Sequence, residues 1–170
     1  MILLLDPSFT LTGYAVLDKA KKPIAAGWIE TKKAKNKKIR VSEDDMDRAR
    51  YLGMRLLRVI DKHKIQGLCI EVPTGSQSAL ASKGLGIAKG CVATVAEARD
   101  LPCTYRTPQE IKKIVAGSNN ASKLQIEKAV KKFFHVNVKG NAKQREAQYD
   151  ALAVGIACWD SDLIRILTQR

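Results

Sequence analysis

The sequence predicts an α/β domain in which a mixed sheet, an antiparallel meander followed by parallel strands, is flanked by helices. Three observations carry this. The first 31 residues read as three short strands divided by turns. From Arg48 onward, stretches of helical periodicity alternate with short apolar runs. The 170 residues are 45% hydrophobic and 28% charged, enough apolar side chain for one core and far from a disordered composition.

Taken in order, MILLL is a first strand, Pro7 and Ser8 make a turn, and Gly13 to Leu17 belong to a second strand. Ile24 to Thr31 is a third. Lys32 to Asp47 is polar, first basic and then acidic, and reads as a loop insertion within a single domain spanning residues 1–170. From Arg48, the residues Tyr51, Leu52, Leu56, Val59 and Ile60 recur at helical spacing, and the helix ends near His63. The run from Gln66 to Val72, between Gly67 and Pro73, fits a buried strand. After a Gly/Ser turn, Ser78 to Arg99 is rich in Ala, Leu and Val and reads as a closely packed helix. Pro102 to Tyr105 is a strand. Thr107 then caps a helix with Pro108 at its first position, ending near Gly117. The turn SNNASK offers Ser118, Asn119 or Ser122 as caps for a helix to about Phe134, and a last helix runs from Arg145 to about Trp159. Tyr14, Trp28, Tyr51, Tyr105, Phe133, Phe134 and Trp159 lie in apolar segments and are expected in the core, while Tyr149, beside Asp150, could shape the site.

Lys and Arg number 30 against 17 Asp and Glu, a formal charge of +13. Much of the excess lies in two nearly unopposed stretches, Lys19 to Arg40 and Lys112 to Arg145. Such a distribution points to a polyanion partner. Neither stretch interleaves its bases with a continuous apolar helix face, which argues against a membrane surface. No apolar run approaches the roughly 20 residues that span a bilayer. The opening run stops at Asp6, too short for a signal peptide. Cys69, Cys91, Cys103 and Cys158 are scattered in apolar contexts with no zinc spacing, as expected of reduced residues in a cytoplasmic protein.

The most informative residues are acids that interrupt apolar runs. Asp6 ends ILLL, Glu71 ends LCI, and Asp150 opens ALAVGIACW. An ionised carboxylate in an apolar setting is costly unless paired or bound to a cation. Singly, these acids could hold a turn, form a salt bridge or start a helix. Together, in a basic protein, they could converge on a metal. Oxygen ligands without His or Cys suit Mg²⁺ or Mn²⁺.

The stretches DPSFTLTGYAVLD from Asp6, GLCIE to Glu71, SQSALASKGLGIAKG from Ser76, TPQEIKKIVAGSNNASKLQI from Thr107 and YDALAVGIA from Tyr149 resemble, in order and over nearly the whole chain, the RuvC family of Holliday-junction resolvases. These belong to the ribonuclease-H-like nucleases. The resemblance implies that Asp6, Glu71 and Asp150 are catalytic metal ligands for two Mg²⁺ ions, with Mn²⁺ an alternative and Asp6 shared between the ions. The family's fourth ligand commonly sits three residues before the last Asp, where this chain has Ala147. Glu146, four residues before Asp150 and on the same helix face, is the expected replacement. Lys112 and Lys123 match lysines beside the scissile phosphate. Lys83, Lys89, Arg106 and Lys113 would steer the DNA backbone, and Ser118 and Asn119 would donate to phosphate. The expected protein is a homodimeric endonuclease that nicks four-way junctions in pairs. Alternatives are a wider fork or flap nuclease, and a catalytically weakened junction-binding protein. Actin-like and sugar-kinase ATPases share an acid on the first strand, but the chain is too short for their paired domains. One departure is the loop after Glu71, VPTGSQ, which lacks the aromatic that bacterial members use on junction bases.

Overall fold

The computed structural model describes residues 1–36, 38–75 and 78–168. Lys37 of the expected basic insertion, and Ser76 and Gln77 of the loop after Glu71, lie outside the described residues. Five strands form one sheet: β1 (Ile2–Asp6), β2 (Leu11–Leu17), β3 (Pro23–Glu30), β4 (Gly67–Glu71) and β5 (Cys103–Arg106), in the order β3-β2-β1-β4-β5. The β1–β2 and β2–β3 pairs are antiparallel, the β1–β4 and β4–β5 pairs parallel. This is the mixed sheet the sequence predicts.

Alternation along β1 divides the core. Ile2 and Leu4 face one side with Ala15, Leu17 and Cys69, under helices α3 (Pro108–Ala116), α4 (Lys123–Phe133) and α5 (Ala142–Ala157). Leu3 and Leu5 face the other with Val16, Leu68 and Ile70, under α1 (Val41–His63) and α2 (Ala79–Glu97). All these strand residues are almost fully buried, as expected for a sheet covered on both faces. The four cysteines are free, with Cys69 and Cys158 buried. No helix among the described residues is long and apolar enough to cross a membrane.

Caps explain where the helices stand. Ser78 accepts from the Ala81 amide at the start of α2, and Thr107 and Glu110 form a reciprocal capping box at the start of α3. Gly117 ends α3 with a left-handed φ of 76°, open to glycine without strain. Of the three offered caps for α4, the structure uses Ser122, which accepts from the Gln125 amide.

The structure corrects the sequence reading at four places. The acidic half of the Lys32–Asp47 segment is not loop: α1 begins at Val41, and the Glu43 carboxylate receives the Arg40 amide at 3.1 Å. Acids in a first helical turn are favoured by the helix dipole, so the acidic run is a helix start. Second, α5 begins at Ala142, before Arg145, because Asn141 and Gln144 cap it reciprocally at 3.0 Å. Third, a short helix α6 (Asp162–Thr168) follows, burying Ile164. Fourth, not all the aromatics are core. Tyr51 lies on the outer side of α1, Tyr105 on the edge strand β5, and Phe133 at the end of α4 against Trp159, and each is about half exposed.

Candidate active site

Strand periodicity aims two acids at the same place. Asp6 continues the Ile2–Leu4 face of β1, and Glu71 continues the Cys69 face of β4. The strands are adjacent and parallel, with Leu5 level with Ile70, so the two carboxylates end neighbouring strands at the same height, beneath α5.

Glycine brings the third acid in. Gly13 of β2 is paired with Asp6, and a Cβ built on it would stand 1.9 Å from the Ala147 carbonyl oxygen. The helix thus rests on bare backbone beside Asp6, at a separation that no side chain at residue 13 would permit. Asp150, one turn further along α5, is buried at 9% exposure within the helix and not at an exposed start.

The charges of these acids act on one another. Burial first, and then the charge of Asp150, push Asp6 up to about 7. Burial first, and then Asp6 and Asp150, push Glu71 up to about 8. Asp150 is also raised, by burial, against the pull of Lys123. Lys123, the first residue of α4, bonds Asp150 and stands 3.6 Å from Glu146. Burial would lower the Lys123 ammonium, but the Asp150 carboxylate beside it holds it above its ordinary value. Glu146 is half exposed at the rim, and its charge contributes to the rise of both Asp6 and Asp150.

Every donor in this group is a carboxylate oxygen, the chemistry that suits a hard divalent cation. Among the described residues, no group of three or more His, Cys, Asp or Glu stands at spacing that would hold a metal ion. In this arrangement Asp150 and Glu146 are drawn toward the Lys123 ammonium. The donor set fits the implied metal in kind, with a lysine as its present counter-charge. Ala147 is packed against Gly13 and carries no donor.

The other expected residues fall into two groups. Lys112 on α3 is close enough to lower Glu71 and Asp150 electrostatically, while Lys113, Ser118 and Asn119 are exposed on α3 and the turn that follows. Lys83, Lys89 and Arg106 are already engaged within the protein. Lys83 pairs with Asp45 at 2.6 Å, Lys89 donates to the Pro73 carbonyl at 3.2 Å, and Arg106 donates to the Ala157 and Tyr105 carbonyls at 3.2 and 3.0 Å. Tyr149 is buried in the core with Ile126 and Val130, under Lys131 at 5.2 Å, instead of lining the site.

Two buried residues near the end of β1 do not stand out in the sequence. Phe9 is buried in the turn after Asp6, and Arg48 of α1 is buried against it. The signal for Arg48 is its place in the row Arg48, Leu52, Leu56, Ile60, all buried at four-residue spacing. A charge continuing an apolar row is the same kind of anomaly as the three acids.

Comparison with known proteins gives a consistent picture. The family model described as crossover junction endodeoxyribonuclease RuvC matches residues 2–158. A crossover junction endodeoxyribonuclease RuvC of Pseudothermotoga lettingae is 31% identical over 168 residues, covering 97% of this chain and 95% of its own length. That of Salinibacter ruber is 32% identical over 129 residues, 74% of this chain and 68% of its own. Among solved structures, T. thermophilus RuvC in complex with Holliday junction substrate has the same fold, with a TM-score of 0.72 at 18% identity over 92% of this chain and 90% of that one. The yeast mitochondrial Holliday junction resolvase Ydc2 follows at 0.60 and 14% identity, over 99% and 83%.

Proposed function

Because the chain belongs to the RuvC family of crossover junction endodeoxyribonucleases, we propose that it hydrolyses phosphodiester bonds in four-way DNA junctions as a metal-dependent homodimer. The observation that carries this reading is the meeting of Asp6, Glu71 and Asp150 at the end of adjacent parallel strands, each raised by burial and the first two also by neighbouring negative charge. A cluster of that kind is stabilised by cations and is the natural seat of two-metal phosphoryl chemistry.

Asp6, Glu71 and Asp150 would hold Mg²⁺, two ions by the family's chemistry, with Glu146 adding a fourth carboxylate from the rim. Mn²⁺ suits the same oxygens. When bound, such cations supply Lewis acidity at the scissile phosphate and charge at the leaving 3′ oxygen. Lys123, which pairs with Asp150 and Glu146, is then free to turn its ammonium toward the phosphate, where charge develops. Lys112 adds a second positive charge on the same side. Lys113, Ser118 and Asn119 are exposed and would make contacts with the DNA backbone, and Lys83, Lys89 and Arg106 would contribute positive charge while held by the protein.

The chain acts as one nuclease unit, with the basic residues of the loop after β3 gripping a DNA arm. Two copies related by a two-fold axis would nick two strands symmetrically about the branch. The scattered free cysteines and the DNA substrate fit a cytoplasmic protein.

Cleavage of a labelled four-way junction, a fork and a linear duplex, each in Mg²⁺, tests this. Paired nicks near the branch of the junction, with little cutting of duplex, are expected. Equal cutting of forks broadens the substrate class, and tight junction binding without cleavage in Mg²⁺ or Mn²⁺ identifies a binding protein.

A further inference from the structure

We propose that Arg48 is a positioning residue for catalysis: it clamps the Pro7–Thr10 turn that leaves Asp6. The inference rests on the nuclease reading above and adds to it a residue outside the acid and lysine cluster.

Arg48 is 7% exposed and reaches from α1 to two other elements. Its Nε donates to the Thr31 Oγ1 at 3.1 Å, just beyond β3, and its Nη2 to the Phe9 carbonyl at 3.5 Å. Its guanidinium lies 4.1 Å from the centre of the Phe9 ring. The Thr31 hydroxyl donates to the same Phe9 carbonyl, and the Thr31 amide donates to the Thr10 carbonyl at 2.9 Å. The turn is closed internally by Ser8 and Thr12, whose amide and hydroxyl bonds measure 3.1 and 2.7 Å. Thus Phe9, three residues after Asp6, is held on its ring by Arg48 and on its carbonyl by Arg48 and Thr31.

The other side of the guanidinium is anchored as well. Nη1 stands 3.7 Å from both Asp44 and Asp45, and Asp45 also pairs with Lys83 of α2. A buried arginine used only for stability would be a poor choice, since an apolar residue of similar volume often serves as well. A planar fork that can stack on a ring and donate in two directions fixes geometry instead. Proline at residue 7 fixes one backbone dihedral between Asp6 and Phe9, and under the proposal displacement at Phe9 reaches the carboxylate through this short, restricted segment. Misplacement by about 1 Å can reduce catalysis by about 10²-fold.

The test compares wild type with Arg48→Met, Arg48→Lys and Thr31→Val by single-turnover cleavage of pre-bound junction, junction affinity, and hydrogen exchange of the metal-free protein. All are measured well below each protein's Tm. Arg48→Met is expected to slow cleavage of bound junction roughly 10- to 100-fold. Its junction Kd stays within about threefold of wild type, because the guanidinium is buried and makes no surface for DNA. Exchange rises in residues 8–12 and at the Thr31 amide. Arg48→Lys restores part of the rate. Should Arg48→Met fail to fold, Thr31→Val removes the hydroxyl that links Arg48 to Phe9 and is expected to act in the same direction. Wild-type cleavage with an unimpaired rate in the folded variants, or unchanged exchange in the turn, overturns the proposal. A wild type that cleaves no junction contradicts the nuclease reading instead, and exchange then decides the clamp by itself.

Discussion

Gly13 and Ala147 meet backbone to backbone: a Cβ at residue 13 would lie 1.9 Å from the Ala147 carbonyl oxygen and 2.4 Å from its carbon. Since Gly13 is the partner of Asp6 across β1 and β2, this contact sets how near α5 lies to Asp6. Gly13→Ala must push the helix outward, because neither backbone can give way as a flexible side chain would. The variant is expected to lose roughly 1–3 kcal/mol of stability, the usual cost of overpacking, and a larger share of its activity. Denaturant unfolding and single-turnover cleavage measure the two effects. Wild-type values for both would show that α5 tolerates the shift.

The raised acids make the metal-free protein sensitive to pH. Asp6 moves from 3.8 to about 7 and Glu71 from 4.5 to about 8, so both are harder to ionise when folded. A raised carboxyl contributes stability below its unfolded value, and that stability is lost as pH rises through the folded value. Metal-free protein should therefore lose stability between about pH 4 and pH 8 through these groups. Asp6→Asn should stabilise it at pH 8 by a few kcal/mol in order of magnitude, and have little effect near pH 4. Thermal melts in EDTA across that range check this. A destabilised Asp6→Asn at pH 8 would mean that Asp6 is satisfied without metal.

We propose Glu146 as the replacement for the donor that Ala147 does not supply. Glu146→Gln keeps the size of the side chain but removes its charge and turns one acceptor oxygen into a donor. It should lower cleavage by about tenfold or more and raise the Mg²⁺ concentration needed for half-maximal rate, with little change in junction affinity. A metal titration identical to wild type would leave Glu146 as a rim residue paired with Lys123.

The basic loop between β3 and α1 should act through phosphate. Changing Lys32, Lys33 and Lys35 to Gln is expected to weaken junction binding most at low salt. The slope of log K against log salt should fall by about 0.9 for each phosphate that is no longer neutralised. Affinity unchanged at moderate salt would remove the loop from the DNA interface.

The strands and the three acids are legible in the sequence for the same physical reason. An apolar run with period two tells which face a residue joins, and a carboxylate at its end stands out by cost. The Thr107 cap is readable too, since its partner Glu110 lies three residues on. What is not legible depends on contacts far along the chain. The acidic residues from Glu43 to Asp47 look like loop until Asp44 receives the Ala34 amide at 2.8 Å and both Asp44 and Asp45 meet Arg48. The depth of Asp150 in α5 is hidden because the Asn141–Gln144 cap lies in a mostly polar stretch with no apolar periodicity. Arg48 looks like one of several arginines between apolar positions, although its register with Leu52 and Leu56 places it inside. Tyr51, one residue before Leu52, points outward by the same register.

We propose that the carboxylates of Asp6, Glu71 and Asp150 bind the metal that drives junction cleavage. This is tested most directly by incubating a labelled four-way junction with wild type and with Asp6→Asn, each in Mg²⁺ and in EDTA. Symmetric nicks by the wild type in Mg²⁺ alone are expected, with cleavage by Asp6→Asn reduced by about 10³-fold or more while junction binding persists. Cleavage that survives EDTA, or an Asp6→Asn variant as fast as wild type, would contradict it.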